Sequence, residues 1–179
     1  KQVPPTKMGA PVFVESTSSS ITVGFAPPCD VGTRDGELIK SYTVVYAQGP
    51  DRLERLENAA GKLDQGSVGV ARHADPKGTL VKKLKPGIPC AFRVFAENEF
   101  GEGELSEVAE YLTSPACPDP PTSPIVTELT QWSVVIEFRP GCDNGAPSTN
   151  YVIEVEDIAA GTKREEDLHD IGLDGNGNQ

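Results

Sequence analysis

The feature that most restricts how this chain can fold is a repeat within it. "PVFVESTSSSITVGFAPPCD", Pro11 to Asp30, aligns without a gap on "PIVTELTQWSVVIEFRPGCD", Pro124 to Asp143, at an offset of 113 residues. Eight of the twenty positions are identical: Pro11/Pro124, Glu15/Glu128, Thr17/Thr130, Ser20/Ser133, Phe25/Phe138, Pro27/Pro140, Cys29/Cys142 and Asp30/Asp143. A matched apolar pattern at one fixed offset marks a duplicated structural unit. A chain of 179 residues that must hold two copies has room only for small domains with modest cores.

Within each copy the side-chain period is two. Ile21, Val23 and Phe25 alternate with Thr22, Gly24 and Ala26, and Val134, Ile136 and Phe138 alternate with Val135, Glu137 and Arg139. The following runs repeat the habit, with Tyr42, Val44 and Tyr46 on one face in the first copy and Tyr151, Ile153 and Val155 in the second. Further on, Cys90, Phe92, Val94 and Ala96 share a face, opposed by Arg93, Glu97 and, less expectedly, Phe95. Such strands each offer one apolar face, and two sheets packed face to face bury them. Sixteen prolines and eighteen glycines suit short strands joined by defined turns, so the expected class is all-β.

"SITVGFAPP", "IKSYTVVYA", "LKPGIPCAFRVFAENEFGEGELSE" and "SVVIEFRPGCDNGAPSTNYVIEVED" together resemble tandem fibronectin type III domains, as found in muscle giant proteins and cell-surface receptors. The resemblance covers nearly all of residues 5–158 and implies an immunoglobulin-like β-sandwich, two in tandem with the second incomplete. In that family's terms Pro86-Gly87 is the corner between strands E and F, and "NEFGEGE" is the loop from F to G. The expected organisation is a first domain over 1–115 with an insertion at 48–78, a Pro-rich linker at 116–123, and the N-terminal part of a second domain over 124–179. Two departures stand out. Phe25 and Phe138 occupy the strand B position where the family usually has tryptophan, and Cys90 stands where it has a corner tyrosine whose hydroxyl ties back to the preceding loop. A thiol cannot make that reach, so packing of Leu84 and the rigid Pro86-Gly87 turn are expected to hold a somewhat softer corner. Half a sandwich exposes its apolar inner face, which leads to the expectation that the polypeptide continues past Gln179. Prolines in "TSPACPDPPTSP" favour extended backbone, so the linker reads as semi-rigid.

Charge narrows the partners. Residues 1–115 carry 13 basic and 15 acidic side chains and residues 116–179 carry 3 and 12; the resulting field repels nucleic acid, which needs clustered Lys and Arg. The one basic cluster, Lys82, Lys83 and Lys85, reads as an edge strand protected against pairing. No apolar run reaches the ~20 residues of a membrane helix, and "KQVPPTKMGAPVF" has no signal-peptide core, so membrane insertion is not expected. No cofactor is implied. His73 and His169 lie in polar stretches with no third group at triad spacing. No Cys-x-x-Cys occurs to make a structural zinc site, and "DGNGNQ" matches only the first half of a calcium loop.

Cys29 and Cys90 fall at opposite ends of the first sandwich, separated by about 20 Å, too far to pair. Cys117 and Cys142 fall at one pole, where a bridge is geometrically allowed, against the plainer reading of four reduced thiols. In the long stretch between strands C and E, Asp51 is placed to cap a short helix with Glu54 at its third position. Leu53, Leu56, Ala60 and Leu63 would form its stripe and "GSVGVARH" an edge strand. That helix reads either as a cover for the sandwich or as a docking element.

These readings imply a non-catalytic structural or protein-interaction module in a larger scaffold, its partners being other proteins and neighbouring domains of its own chain. Expected contact residues are Val45 and Phe95 on an exposed sheet face, Arg34 and Asp35 in the loop after strand B, Leu53 and Leu56 on the helix, and Asn98 and Phe100 in the loop from F to G. An extracellular adhesion or receptor segment, or an accessory module of a secreted enzyme, is the alternative. Unpaired-looking cysteines and missing glycosylation sequons tilt the balance toward an intracellular, cytoskeletal or ciliary assembly.

Overall fold

In the computed structural model of the chain, residues 2–33, 39–58 and 68–168 are described. The chain divides into two compact units, Lys1–Cys117 and Pro118–Gln179. The first runs β1 (Val12–Ser16), β2 (Ser20–Gly24), β3 (Ser41–Gln48), α1 (Arg52–Asn58), β4 (Gly69–Arg72), β5 (Thr79–Lys82), β6 (Pro89–Asn98), β7 (Gly101–Glu102) and β8 (Ala109–Leu112). One antiparallel sheet is ordered β1-β2-β5; the other is β4-β3-β6-β7, with β8 also paired to β6.

The alternation dictates what lies between the sheets. Ile21, Val23, Phe25, Val81 and Leu84 meet Val44, Cys90, Phe92, Val94 and Ala96 in one buried cluster, closed at its margins by Tyr42, Tyr46 and Tyr111. Phe25, in the position expected for a larger ring, makes up volume by packing on Tyr42 at 5.3 Å between centroids. Each large side chain taken out of water here contributes about 1.5 to 3 kcal/mol, so this layer dominates the unit's stability. Lys82 is exposed on β5, the edge strand of its sheet, as an anti-pairing lysine should be.

A second cluster lies on the opposite face of the β3–β6 sheet. Val45, Ala47, Ala91 and Phe95 are buried there beneath Leu56 of α1 and Val68, with Val70, Leu105 and Val108 partly buried around them. The expectation that Val45 and Phe95 stand on an exposed face is therefore wrong: they are 1% and 2% exposed. The cause is α1, which starts one residue after Asp51 and packs on β3 and β6. Arg55 donates a side-chain N–H to the Gln48 carbonyl, and Arg52 pairs with Glu110 of β8, tying both ends of the helix to the sheet. Leu56 is the buried anchor, whereas Leu53 is 41% exposed. Ala60 and Leu63 lie outside the described residues.

The corner before β6 is held by more than Leu84 and the Pro-Gly turn. The Gln48 side chain accepts the Lys85 N–H at 2.7 Å and donates to the Lys85 carbonyl at 2.8 Å and the Ile88 carbonyl at 3.3 Å. From the other side the Thr113 hydroxyl donates to the Lys85 carbonyl at 2.7 Å and accepts the Ile88 N–H at 3.2 Å. Cys90 is fully buried in the core below. A polar clasp from two neighbouring strands thus supplies the tie that a thiol cannot make.

The second unit holds β9 (Ile125–Leu129), β10 (Val134–Glu137), β11 (Tyr151–Asp157) and β12 (Thr162–Leu168), arranged as the antiparallel pairs β9–β10 and β11–β12. It copies the first unit in detail. The register of β1 on β2 slips at Val14 and that of β9 on β10 at Thr127, 113 residues later. The Thr17 N–H reaches the Ser20 carbonyl at 2.9 Å, and the Thr130 N–H reaches that of Ser133 at 2.8 Å. Phe138 packs on Tyr151 at 5.3 Å, as Phe25 packs on Tyr42. Where β2 is flanked by both β1 and β5, β10 has only β9 among the described residues. Ile125, Val134, Val135, Val152 and Val155 are accordingly exposed.

Candidate functional site

The segment before β1 and the loops it crosses form the most elaborated surface of the first unit. Pro4 and Pro5 have no N–H, so only the residues flanking them can donate. The Val3 N–H donates to the Gly32 carbonyl at 3.1 Å and the Thr6 N–H to the Asp30 carbonyl at 3.0 Å. In return the Asp30 N–H donates to the Thr6 hydroxyl at 3.2 Å. On the other side lies the hairpin of β6 and β7, whose tight turn pairs Asn98 with Gly101. Asn98 is 2% exposed: its amide donates to the carbonyls of Val3 (2.8 Å) and Val31 (2.9 Å), and its oxygen accepts the Phe100 N–H (2.8 Å). Both N–H donors of that amide and one acceptor direction of its oxygen are used inside the protein, so Asn98, buried as it is, joins loops and is not the exposed contact residue expected of it.

This crossing explains the spacing of "FGEGE". A Cβ on Gly103 would meet the Pro5 carbonyl oxygen at 2.6 Å, and a Cβ on Gly32 would meet that of Val3 at 2.1 Å. The glycines are small there because another backbone passes over them. Outside the crossing lies an open groove of about 430 Å³ lined by Pro4, Pro5, Thr6, Lys7, Glu102, Gly103 and Glu104. Lys7 donates to Glu107, and that bond together with the lysine's charge holds the Glu107 carboxyl below its ordinary range.

The outer face of the β1–β2–β5 sheet is an open apolar surface among the described residues of the first unit. Val12 pairs with Gly24 and Leu80 with Thr22, on the side away from the core. Val14, at the bulge, sits against the same Gly24. Val12, Val14 and Leu80 are 57%, 49% and 47% exposed, while Thr22 between them is buried and donates to Glu15. Nothing in the strand pattern distinguished this face from that of Phe95; the difference is which sheet α1 covers. Of the residues expected to make contacts, Leu53 is exposed and Phe100 half-buried, Val45, Leu56, Phe95 and Asn98 are buried, and Arg34 and Asp35 lie outside the described residues.

All four cysteines are thiols. Cys29, Cys117 and Cys142 are exposed and Cys90 is buried. Burial in an apolar core pushes the Cys90 thiol up to about 12, which suppresses the thiolate that would react. Among the described residues, no three His, Cys, Asp or Glu side chains are gathered to hold a metal ion, and no helix is long and apolar enough to cross a membrane.

No family model matches the chain. It is 25% identical over 158 residues to mouse fibronectin type-III domain-containing protein 3A, covering 88% of this chain and 12% of that protein. To the human netrin receptor DCC it is 26% identical over 165 residues, covering 91% of this chain and 10% of that one. The chain thus spans about a tenth of the length of the curated relatives it matches. Among solved structures, the chicken CNTN1 FN1–FN3 domains superpose with a TM-score of 0.59 at 16% identity, over 93% of this chain and 53% of that one. With the 113-residue repeat, the two-sheet core and the shared bulge, these likenesses show the fibronectin type III fold in tandem and a similarity to fibronectin type III domain proteins.

Proposed function

We propose that the chain is a non-catalytic protein-interaction segment of a larger modular protein. The proposed division is a first module over 1–115 with 48–78 inserted, a junction at 116–123 and the start of a second module over 124–179. The observation that carries the reading is how the first unit distributes its apolar surface. The β3–β6 sheet is sealed by α1, and the β1–β2–β5 sheet presents Val12, Val14 and Leu80 to solvent around a buried Thr22. Exposed apolar side chains gathered on one face of a small module are what protein partners use. The proposed contact set is Val12, Val14 and Leu80, with Leu53, Phe100, Arg34 and Asp35. The likeness to a netrin receptor favours a receptor segment as the second reading.

The test compares proteins retained by the immobilised full chain with those retained by Leu80→Glu and Val12→Asp variants, each checked for a protected Cys90 thiol. A partner held by the parent chain and lost from both folded variants is the expected result. Equal retention by all three chains would count against the patch, and turnover of any bound substrate would count against the non-catalytic reading.

A further inference from the structure

The crossing described above occurs twice. The second unit begins with "Asp119-Pro120-Pro121-Thr122", a counterpart of "Val3-Pro4-Pro5-Thr6". The Asp119 N–H donates to the Cys142 carbonyl at 2.9 Å, as the Val3 N–H does to Gly32. The Thr122 N–H donates to the Arg139 carbonyl at 2.9 Å while the Arg139 N–H donates back to the Thr122 hydroxyl at 2.8 Å. That reciprocal pair is the one between Thr6 and Asp30. A Cβ on Gly141 would meet the Asp119 carbonyl oxygen at 2.1 Å, so a glycine again makes room for the crossing backbone. The loop positions are offset by 109 residues, not 113: Asp30 and Arg139, Gly32 and Gly141 and, in the strand that follows, Tyr42 and Tyr151 all correspond at that spacing. The bonding pattern thus survives a four-residue change of register between the first hairpin and the loop.

We infer that the x-Pro-Pro-Thr segment entering each unit is a strap that sets the conformation of that unit's loop after strand B and, in the first unit, of the β6–β7 hairpin as well. Its two prolines stiffen the segment in an extended form. The flanking N–H groups and the threonine hydroxyl then lock the loop to it. Displacement of the chain upstream of a unit releases the loops without breaching the sandwich core, because the strap bonds to loop residues and the core lies between the sheets. The regulatory use of this rests on the loops being partner-facing, but the coupling itself does not, and it can be measured with no partner present.

The experiment is amide hydrogen exchange on the full chain and four variants. Val3→Pro and Asp119→Pro each delete one strap N–H and keep extended backbone, the second also removing the carboxylate that accepts the Asn144 amide, for which Asp119→Ala is the control. Gly103→Ala and Gly141→Ala leave the strap's own donors intact and push it off, since neither glycine has a positive φ and the added methyl meets strap carbonyl oxygens. Asp30 and Gly103 report on the first strap, Arg139 on the second, and Phe92 and Val94 on the core. Val3→Pro and Gly103→Ala should speed exchange at Asp30 and Gly103 roughly tenfold with Phe92, Val94 and Arg139 unchanged. Asp119→Pro and Gly141→Ala should do the same at Arg139 alone. Unchanged loop exchange, or exchange that rises equally in the loops and at Phe92 and Val94, would overturn the strap.

Discussion

Replacing Gln48 by alanine tests whether the corner before β6 is held by its polar clasp or by apolar packing and turn stiffness. Gln48 makes two short hydrogen bonds to Lys85, at 2.7 and 2.8 Å, and a longer one to Ile88 at 3.3 Å. A typical internal hydrogen bond contributes about 1 kcal/mol net. Lys85 is exposed, so water takes over part of what is lost, and the expected cost is about 1.5 kcal/mol. The chain supplies its own probe. Cys90 is fully buried at the start of β6, while Cys29, Cys117 and Cys142 are exposed. Pulsed alkylation in urea, read by mass at the Cys90 peptide, therefore follows opening of the first unit without interference from the second. With a urea dependence of about 1.5 kcal/mol per molar, the midpoint should fall by about 1 M. Thr113→Val should cost a similar amount. The double variant should cost less than the sum, because both side chains donate to the same Lys85 carbonyl and groups sharing a partner are not additive. A midpoint shift under about 0.3 M for Gln48→Ala would mean that Leu84 and Pro86-Gly87 suffice and that the clasp is incidental.

Two further outcomes follow from the buried groups. Phe95→Ala should destabilise the first unit by about 3 to 5 kcal/mol, the range for a truncated core aromatic, seen as Cys90 alkylation at much lower urea; a cost below about 0.5 kcal/mol would return Phe95 to the surface. The stability of the first unit should also decline in alkali. Burial raises the Cys90 thiol to about 12, whereas an unfolded cysteine ionises near 8.5. Below that unfolded value the contribution is fully present, and it is lost as the pH rises toward about 12, because the unfolded chain then releases a proton that the folded one keeps. Urea midpoints read by circular dichroism from pH 8 to 11 check the slope, and a Cys90→Ala variant should flatten that part of it.

The core was legible because its signal is local. Whether Ile21, Val23 and Phe25 point inward is written in their own alternation, and a sheet with one apolar face has few ways to bury it. The burial of Phe95 was not legible by the same means. An outward strand position carries the same period whether it faces water or a helix supplied from forty residues away, and the pattern has no term for what covers it. Two oddities did carry the information: an aromatic where Arg93 and Glu97 are polar, and a Leu53/Leu56 pair in an otherwise polar insertion. Each was noticed alone, and in the structure Leu56 and Phe95 are halves of one cluster. Asn98 failed differently, and Gln48 was not singled out at all. A polar residue at a strand end looks like a loop contact in sequence, because its partners are backbone carbonyls and carbonyls have no residue type to recognise.

The two units differ in what they keep and what they change. The bulges at Val14 and Thr127, the turn bonds after Thr17 and Thr130 and the rings of Phe25 and Phe138 hold to the 113-residue offset, whereas their ring partners, Tyr42 and Tyr151, stand 109 apart. A one-residue slip in any of them would turn a strand's apolar face outward, so the core fixes them rigidly. The strap's loop partners leave that offset and move with the next strand, Asp30/Arg139 and Tyr42/Tyr151 both standing 109 apart, while the bonding pattern is kept. A loop gains nothing from a particular register, only from having its polar backbone groups paired. Change between modules of this kind is therefore cheapest in the loops that the entering segment crosses. Under the proposed function those same loops face a partner, and partner choice then diverges from one module to the next while the sandwich beneath them stays the same.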